Sequence, residues 1–158
     1  RRKSIMSDNM ILDKFKDKCT LLDNGSIVIN SDDWESISQF IYESGFDYLM
    51  CITSYDLESD DRLGLAYNFY STSEKKYLEI RIEFNNKEEI FSVANIWRTA
   101  DWHEREAYDL MGILFKGHPD LKRILLPDDW EGHPLRKDWE EPEYYNGMPV
   151  PKDKSYWE

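Results

Sequence analysis

The chain has 158 residues, of which 41% are apolar, which is enough for one hydrophobic core but not for two. Its formal net charge of −12 argues against a partner that carries a phosphate backbone or an anionic membrane surface. No stretch approaches the roughly 20 apolar residues that cross a bilayer. We therefore expect no binding of nucleic acid and no direct membrane insertion, so that any membrane contact is made through a partner.

Metal and cluster sites need more soft ligands than this chain offers. Cys19 and Cys51 are its only cysteines, and they do not form a CxxC pair. An iron–sulfur or structural zinc site usually takes four Cys or His ligands at short spacings. His103, His118 and His133 have no spacing that favours a shared metal. We expect two reduced thiols, no metal and no cofactor in this chain.

The first part of the chain is predicted to contain two helices and a short strand. Apolar residues at helical spacing predict a helix over residues 10–18, and a β-branched run predicts a strand at residues 27–29. Asp32 and Glu35 have the spacing of a capping box, which predicts a second helix that ends at Gly45.

The middle of the chain is predicted to be mainly strands. An apolar run predicts a buried strand over residues 46–55. Strict alternation at 65–69 and again at 78–84 predicts an antiparallel hairpin with one packed face, and residues 90–97 suggest a short helix. This order predicts an α+β fold, with N-terminal helices packed on a mainly antiparallel sheet and a long irregular C-terminal extension.

A further helix should follow in the last third of the chain. Asp101 and Glu104 again have capping-box spacing, and Gly112 has the position of a glycine that ends a helix. Arg105 precedes Asp109 by one turn, which predicts an ion pair on the face opposite the apolar stripe. Other acidic groups on this helix could instead bind backbone N–H groups or arginines from elsewhere.

The residues of this helix do not compose an active site. His103-Glu104-Arg105-Glu106-Ala107 begins like a zinc-protease motif, but that motif needs a second histidine where Ala107 stands. Glu104 and Glu106 point about 200° apart on a helix, so they do not converge on one substrate. The sequence predicts no catalytic residue.

Residues 117–138 and 139–158 have the composition of surface segments. Proline, glycine and mixed charges in 117–138 are typical either of a rigid partner-docking loop or of a loop that covers its own core. Residues 139–158 are aromatic and rich in proline, which is unusual for a solvated tail. They pack either along another protein or back on their own domain.

The run E-R-E-A-Y-D-L-M-G-I-L-F-K-G-H-P-D-L-K-R-I-L-L-P-D-D-W-E-G-H-P-L-R-K-D, at 104–138, closely resembles the signature of a known family. That family is the 30 kDa subunit, or C-type subunit, of the proton-translocating NADH:quinone oxidoreductase, respiratory complex I. The resemblance extends over residues 25–145.

The resemblance implies a non-catalytic structural subunit of the peripheral arm. It implies docking mainly on the large D-type subunit of the quinone site, then on the B- and I-type subunits, with residues 1–138 as the domain and 139–158 as a tail that wraps the partner. The complex uses FMN, iron–sulfur clusters, NADH and quinone, none of them held by this subunit. It implies a peripheral position on the cytoplasmic face of the cell membrane, or the matrix side in a mitochondrion.

The resemblance also assigns roles to individual residues. The structural signature residues are Glu104, Arg105, Glu106, Asp109 and Gly112. The expected interface residues are His118, Pro119, Arg123, Trp130, Gly132, His133, Pro134, Arg136, Lys137, Asp138, Trp139, Tyr144 and Tyr145.

Two alternatives stay open. The chain could be the equivalent subunit of a related ferredoxin-, F420- or hydrogenase-type membrane complex, which the cysteines of the neighbouring large subunit would reveal. It could also be an isolated small-molecule enzyme, which predicts a stable, active monomer.

Overall fold

The computed structural model describes residues 11–15, 18–57 and 61–150. Of the first predicted helix, residues 11–14 are helical, and the N–H of Phe15 donates to the carbonyl of Ile11 at 2.9 Å. Residue 18 lies in a turn, and residues 10, 16 and 17 of this prediction lie outside the described residues.

Five strands form the main sheet, in the spatial order β1-β2-β5-β4-β3. The β2–β5 pair is parallel and the other three pairs are antiparallel. The mainly antiparallel α+β prediction is therefore confirmed. The strands are β1 at Cys19–Leu21, β2 at Ile27–Ile29, β3 at Tyr48–Asp56, β4 at Arg62–Ser71 and β5 at Lys76–Asn85.

The predicted hairpin is β4–β5, and the alternating apolar residues on which the prediction rested face the core, where each is at most 3% exposed. The strand predicted over residues 46–55 is present as β3, but it is buried on one face only. Leu49 and Ile52 are buried, but Tyr48 and Met50 are nearly half exposed, because this edge strand has one packed face rather than two.

Helix α1, at Trp34–Glu43, covers the packed face of the sheet. The indole of Trp34 lies 4.5 Å from the ring of Tyr67 on β4, between ring centroids. The capping box predicted at Asp32 and Glu35 was wrong. A 3₁₀ turn occupies Ser31–Asp33, and no side chain makes a capping hydrogen bond to α1.

Helix α2, at Ala100–Met111, packs beside β3. The segment before it is held to the sheet edge, where Trp97 Nε1 donates to the carbonyl of Phe46 at 2.9 Å. The short helix predicted at 90–97 was wrong. Strand β6, at Glu89–Phe91, pairs there in parallel with β7, at Leu114–Lys116. Pairing with β7 therefore makes residues 89–91 a strand.

From the end of β7 to residue 150 the chain is irregular, as predicted, except for a small hairpin of β8 at Tyr144–Tyr145 and β9 at Met148–Pro149. We call residues 117–138 the C-terminal loop and residues 139–158 the C-terminal tail. Within the described ranges, no helix is long and apolar enough to span a bilayer.

The two faces of the sheet predict opposite responses to truncation. Phe69 is fully buried between the rings of Trp34 and Trp97, so Phe69→Ala should lower the free energy of unfolding by about 4 kcal/mol. Tyr70 lies on the other face, and Tyr70→Ala should lower it by about 1 kcal/mol. Urea unfolding of the purified chain tests both. Equal losses would contradict the assignment of the faces.

Candidate structural and docking site

The carboxylate of Asp109 is the centre of the site. It is fully buried on α2, and one oxygen, Oδ2, accepts the backbone N–H groups of Ile124, Leu125 and Leu126 at 3.0, 2.8 and 2.9 Å. The other oxygen, Oδ1, accepts from Arg123 at 2.8 Å. Four donors thus converge on one buried side chain and fix the backbone of the C-terminal loop against the helix.

These donors determine the ionisation of Asp109. Burial by itself would raise the pKa of this carboxyl, but the three backbone N–H groups and the Arg123 guanidinium outweigh it, so the pKa lies below the usual range. The resulting stabilisation is present above the unfolded pKa, near 3.8, and is lost as the pH falls through the lower folded pKa. The carboxylate is therefore a permanent anion at neutral pH.

Arg123 joins the two halves of the loop. Besides Asp109, its guanidinium donates to the carbonyl of Gly132 at 3.1 Å. On the same side, His133 Nδ1 lies 2.9 Å from the carbonyl of Asp109, and the N–H of Leu135 donates to the carbonyl of α2 residue Leu110 at 3.1 Å. Both arms of the loop are therefore tied to the end of α2.

Gly112 ends α2 in the left-handed conformation, with φ of 73°, as predicted. Its missing side chain also makes room, because a Cβ there would lie 2.5 Å from the imidazole of His133. Any other residue at this position would have to adopt an unfavourable backbone angle and would also displace the ring of His133.

The predicted ion pair between Arg105 and Asp109 was wrong. Arg105 is half-buried, donates from Nε to the carbonyl of Lys122 at 3.2 Å and lies over the exposed ring of Trp102. Asp109 points into the loop instead, because burial there offers it four donors and the helix surface offers one. The alternative expectation, that an acidic group binds backbone N–H groups and an arginine from elsewhere, holds for Asp109.

Glu104 is the second buried carboxyl of α2, and its predicted capping role was also wrong. Ser92 Oγ lies 2.5 Å from Oε2, and the N–H of Val93 donates to Oε1 at 2.7 Å. Burial raises its pKa to about 7, with a smaller rise from Asp101, and these two hydrogen bonds offset only part of the increase. The segment after β6 is thereby held to α2.

His118 is the second residue of the C-terminal loop, and its side chain is fully buried. Its Nδ1 accepts the N–H of Asp120 at 3.1 Å, so Nε2 carries the proton of the neutral ring. That Nε2–H lies 3.3 Å from the carbonyl oxygen of Asp101 and 3.9 Å from Oε2 of Glu104.

The aromatic residues of the loop and the tail form a second cluster. The ring of Trp130 lies 6.1 Å from that of Trp139 and 5.2 Å from that of Tyr145, between centroids. Trp139 Nε1 donates to the carbonyl of Glu131 at 3.1 Å, and Gly132 is close enough that a Cβ would lie 2.7 Å from the Trp139 ring. The start of the tail therefore packs on the C-terminal loop.

The remaining predicted residues lie at the surface of this assembly. The N–H of Arg136 donates to the carbonyl of His133, and the N–H of Lys137 donates to Asp56 at the end of β3. The exposed members of the set are Glu106, Pro119, Lys137, Asp138 and Tyr144, and Pro134 is half-buried.

Sequence reasoning missed the partners of the two buried carboxyls. Ser92 and Val93 precede Glu104 by about a dozen residues, and the donors to Asp109 follow it by 14 to 17 residues. Neither spacing is a local pattern. Both cysteines are free thiols, as expected, and among the described residues no three His, Cys, Asp or Glu side chains are placed to hold a metal ion.

Removing the charge of Asp109 should loosen the loop. Asp109→Asn keeps the shape but turns an amide N–H₂ toward donors, so we expect the free energy of unfolding to fall by about 3 kcal/mol. Urea unfolding measures this change. Asp120→Asn is the matched control, since its exposed carboxylate forms a surface ion pair with Lys122 and its loss should be far smaller. Equal losses would contradict the central position of Asp109.

Glu104 should make the stability depend on pH in the opposite sense to Asp109. Because its pKa rises from 4.5 to about 7 on folding, its contribution is complete below pH 4.5 and is lost as the pH approaches 7. This loss amounts to about 3 kcal/mol. The unfolding free energy of the native chain should fall as the pH rises across that range. In Glu104→Gln the part of this fall that is due to Glu104 should be absent. The same slope in both proteins would refute the assignment.

Comparison with known proteins gives one consistent family. The profile described as "Respiratory-chain NADH dehydrogenase, 30 Kd subunit" matches residues 27–145. The C-type subunit of the NADH-quinone oxidoreductase of Chloroherpeton thalassium is 47% identical over 157 residues, which covers 92% of this chain and 65% of that relative. The chain thus spans just under two thirds of the length of that protein.

Two further matches each cover most of this chain and most of the related protein. The C-type subunit of the NADH-quinone oxidoreductase of Chlorobium phaeobacteroides is 37% identical over 95% of this chain and 96% of its own length. A solved trypsin-resistant fragment (1-134) of Nqo5 superposes with a TM-score of 0.66 at 26% identity, over 73% of this chain and all of the fragment. The resemblance found at residues 104–138 is confirmed, and the chain belongs to the family of the 30 kDa subunit of the respiratory-chain NADH dehydrogenase.

Proposed function

We propose that this chain is a structural subunit of the peripheral arm of NADH:quinone oxidoreductase, and that it supports electron transfer from NADH to quinone without performing it. The C-terminal loop would dock mainly on the large D-type subunit of the quinone site, and then on the B- and I-type subunits. The observation that carries the proposal is the loop backbone fastened to α2 by Asp109.

The use of the charged signature residues supports a structural role. Glu104 binds Ser92 and Val93, and Asp109 binds Arg123 and three backbone N–H groups. These side chains hold segments of the chain together and do not converge on a cleft. A catalytic acid or base would have to reach a substrate.

The loop presents apolar side chains from a fixed backbone. Leu125 and Leu135 are 58% and 57% exposed, although the N–H of each is bonded to an acceptor on α2. A rigid loop loses little entropy on binding, and exposed leucines gain by burial against a partner. We assign Leu125 and Leu135 to the docking surface, together with the interface residues expected from the sequence.

The proposal extends to the assembly of the complex. We assign residues 1–138 to the domain, and the C-terminal tail, whose first residue packs on Trp130, would continue along the partner. FMN, the iron–sulfur clusters, NADH and quinone are held by other subunits. The chain would lie peripherally on the cytoplasmic face of the cell membrane, or on the matrix side in a mitochondrion, attached through its partners.

The proposal predicts that one exposed leucine matters for assembly and another does not. With a tagged copy in the native complex, Leu125→Asp should reduce the large subunit recovered with the tag by about tenfold or more, because a charge is placed in an apolar contact. Leu21→Asp, on β1 and 48% exposed, is the matched control and should recover the normal amount.

Turnover separates a structural from a catalytic role. NADH:quinone reductase activity per assembled complex should be unchanged in the fraction of Leu125→Asp complexes that form. Normal assembly with lost turnover would contradict the structural role. Equal recovery with Leu125→Asp and Leu21→Asp would contradict docking through this loop.

A further inference from the structure

The carboxyl group of Glu104 lies where three parts of the chain meet. Ser92 Oγ and the N–H of Val93, from the segment after β6, occupy one side of it. His118, from the first turn of the C-terminal loop, places Nε2 3.9 Å from Oε2. The side chains of Glu104 and His118 are both fully buried. This carboxyl therefore links the core to the beginning of the loop.

The single ring N–H of His118 faces three acceptor oxygens, two on Asp101 and one on Glu104. Nε2 lies 3.3 Å from both the carbonyl oxygen and the carboxylate oxygen Oδ1 of Asp101, and 3.9 Å from Glu104. Nδ1 is held by the N–H of Asp120, so a shift of the ring also moves the turn at residues 118–120. A negative charge on Glu104 would strengthen its attraction for the N–H.

We propose that Glu104 is a proton-sensitive latch: its ionisation draws the Nε2–H of His118 away from Asp101 and repositions the turn that begins the C-terminal loop. The inference rests on the proposed function, because it makes the affinity of this loop for the large quinone-site partner vary with pH. The titratable groups that face the carboxyl are Asp101 on α2, Tyr67 on β4 and His118 on the loop.

The sign of the effect follows from desolvation. The side chain of Asp101 is 35% exposed beside His118, and a partner that covers this corner removes the water nearest to Glu104. Loss of water disfavours the carboxylate further, so docking favours the protonated carboxyl. The large subunit should bind more weakly as the pH rises through about 7, up to tenfold for each unit by which docking raises the pKa.

The experiment uses the detergent-solubilised complex with a tagged copy of this chain. Native mass spectrometry counts the large subunit that remains bound across a pH series centred on 7. The native complex should lose about tenfold in affinity over the series, and Glu104→Gln should stay near its low-pH affinity throughout. Glu35→Gln, an exposed carboxyl on α1, is the control and should follow the native protein.

A second variant separates the latch from a purely structural contact. His118→Asn keeps an acceptor for the N–H of Asp120 but has no donor at the position of Nε2. The infrared C=O band of the Glu104 acid, identified by its loss in Glu104→Gln, should still titrate. Docking in His118→Asn should depend on pH less steeply than in the native complex, because docking still desolvates Glu104 but its ionisation no longer moves the turn.

The outcomes distinguish the latch from the proposed function. If Glu104→Gln or His118→Asn keeps the native pH dependence of docking, the latch is wrong and the structural role stands. If the native chain does not retain the large subunit at any pH, the proposed function fails.

Discussion

The buried carboxylate of Asp109 fixes the backbone of the C-terminal loop against α2. An irregular loop of more than twenty residues cannot satisfy its backbone through regular secondary structure, so its N–H groups need acceptors from elsewhere. Asp109 supplies one oxygen to three consecutive N–H groups and the other to Arg123, which reaches across to Gly132. The position of the loop thus depends on this helical side chain together with the contacts that His133 and Leu135 make to the end of α2.

The elements that the sequence predicts best are those whose signal is local. Alternation over ten residues identifies β4 and β5, and a glycine with a positive φ ends α2 where expected. The prediction fails where a partner distant in the chain decides the outcome. Residues 90–97 were interpreted as a helix, but Glu89–Phe91 pairs with Leu114–Lys116, more than twenty residues later.

The capping box predicted at Asp101 and Glu104 fails for the same reason. Aspartate and glutamate at the right spacing are compatible with a cap, but burial offers Glu104 a stronger arrangement with Ser92 and Val93. The pairing of Arg105 with Asp109 was the reasonable local choice, yet the guanidinium that binds Asp109 comes from Arg123. The sequence singled out Glu104 and Asp109, and both are buried in the structure. It did not identify their partners, because folding brings those together.

The two buried carboxyls of α2 illustrate how the supply of donors determines the chemistry of an acid. Both are removed from water, which by itself raises the pKa of each. Asp109 has four donors, including a guanidinium, and remains ionised, so it is a permanent fastening for the loop. Glu104 has two neutral donors, which offset only part of the rise in pKa that burial causes, so its charge changes near neutral pH. Two residues 5 positions apart on one helix therefore differ near neutral pH: Asp109 keeps its charge, and we propose that the change in charge of Glu104 is transmitted to the loop.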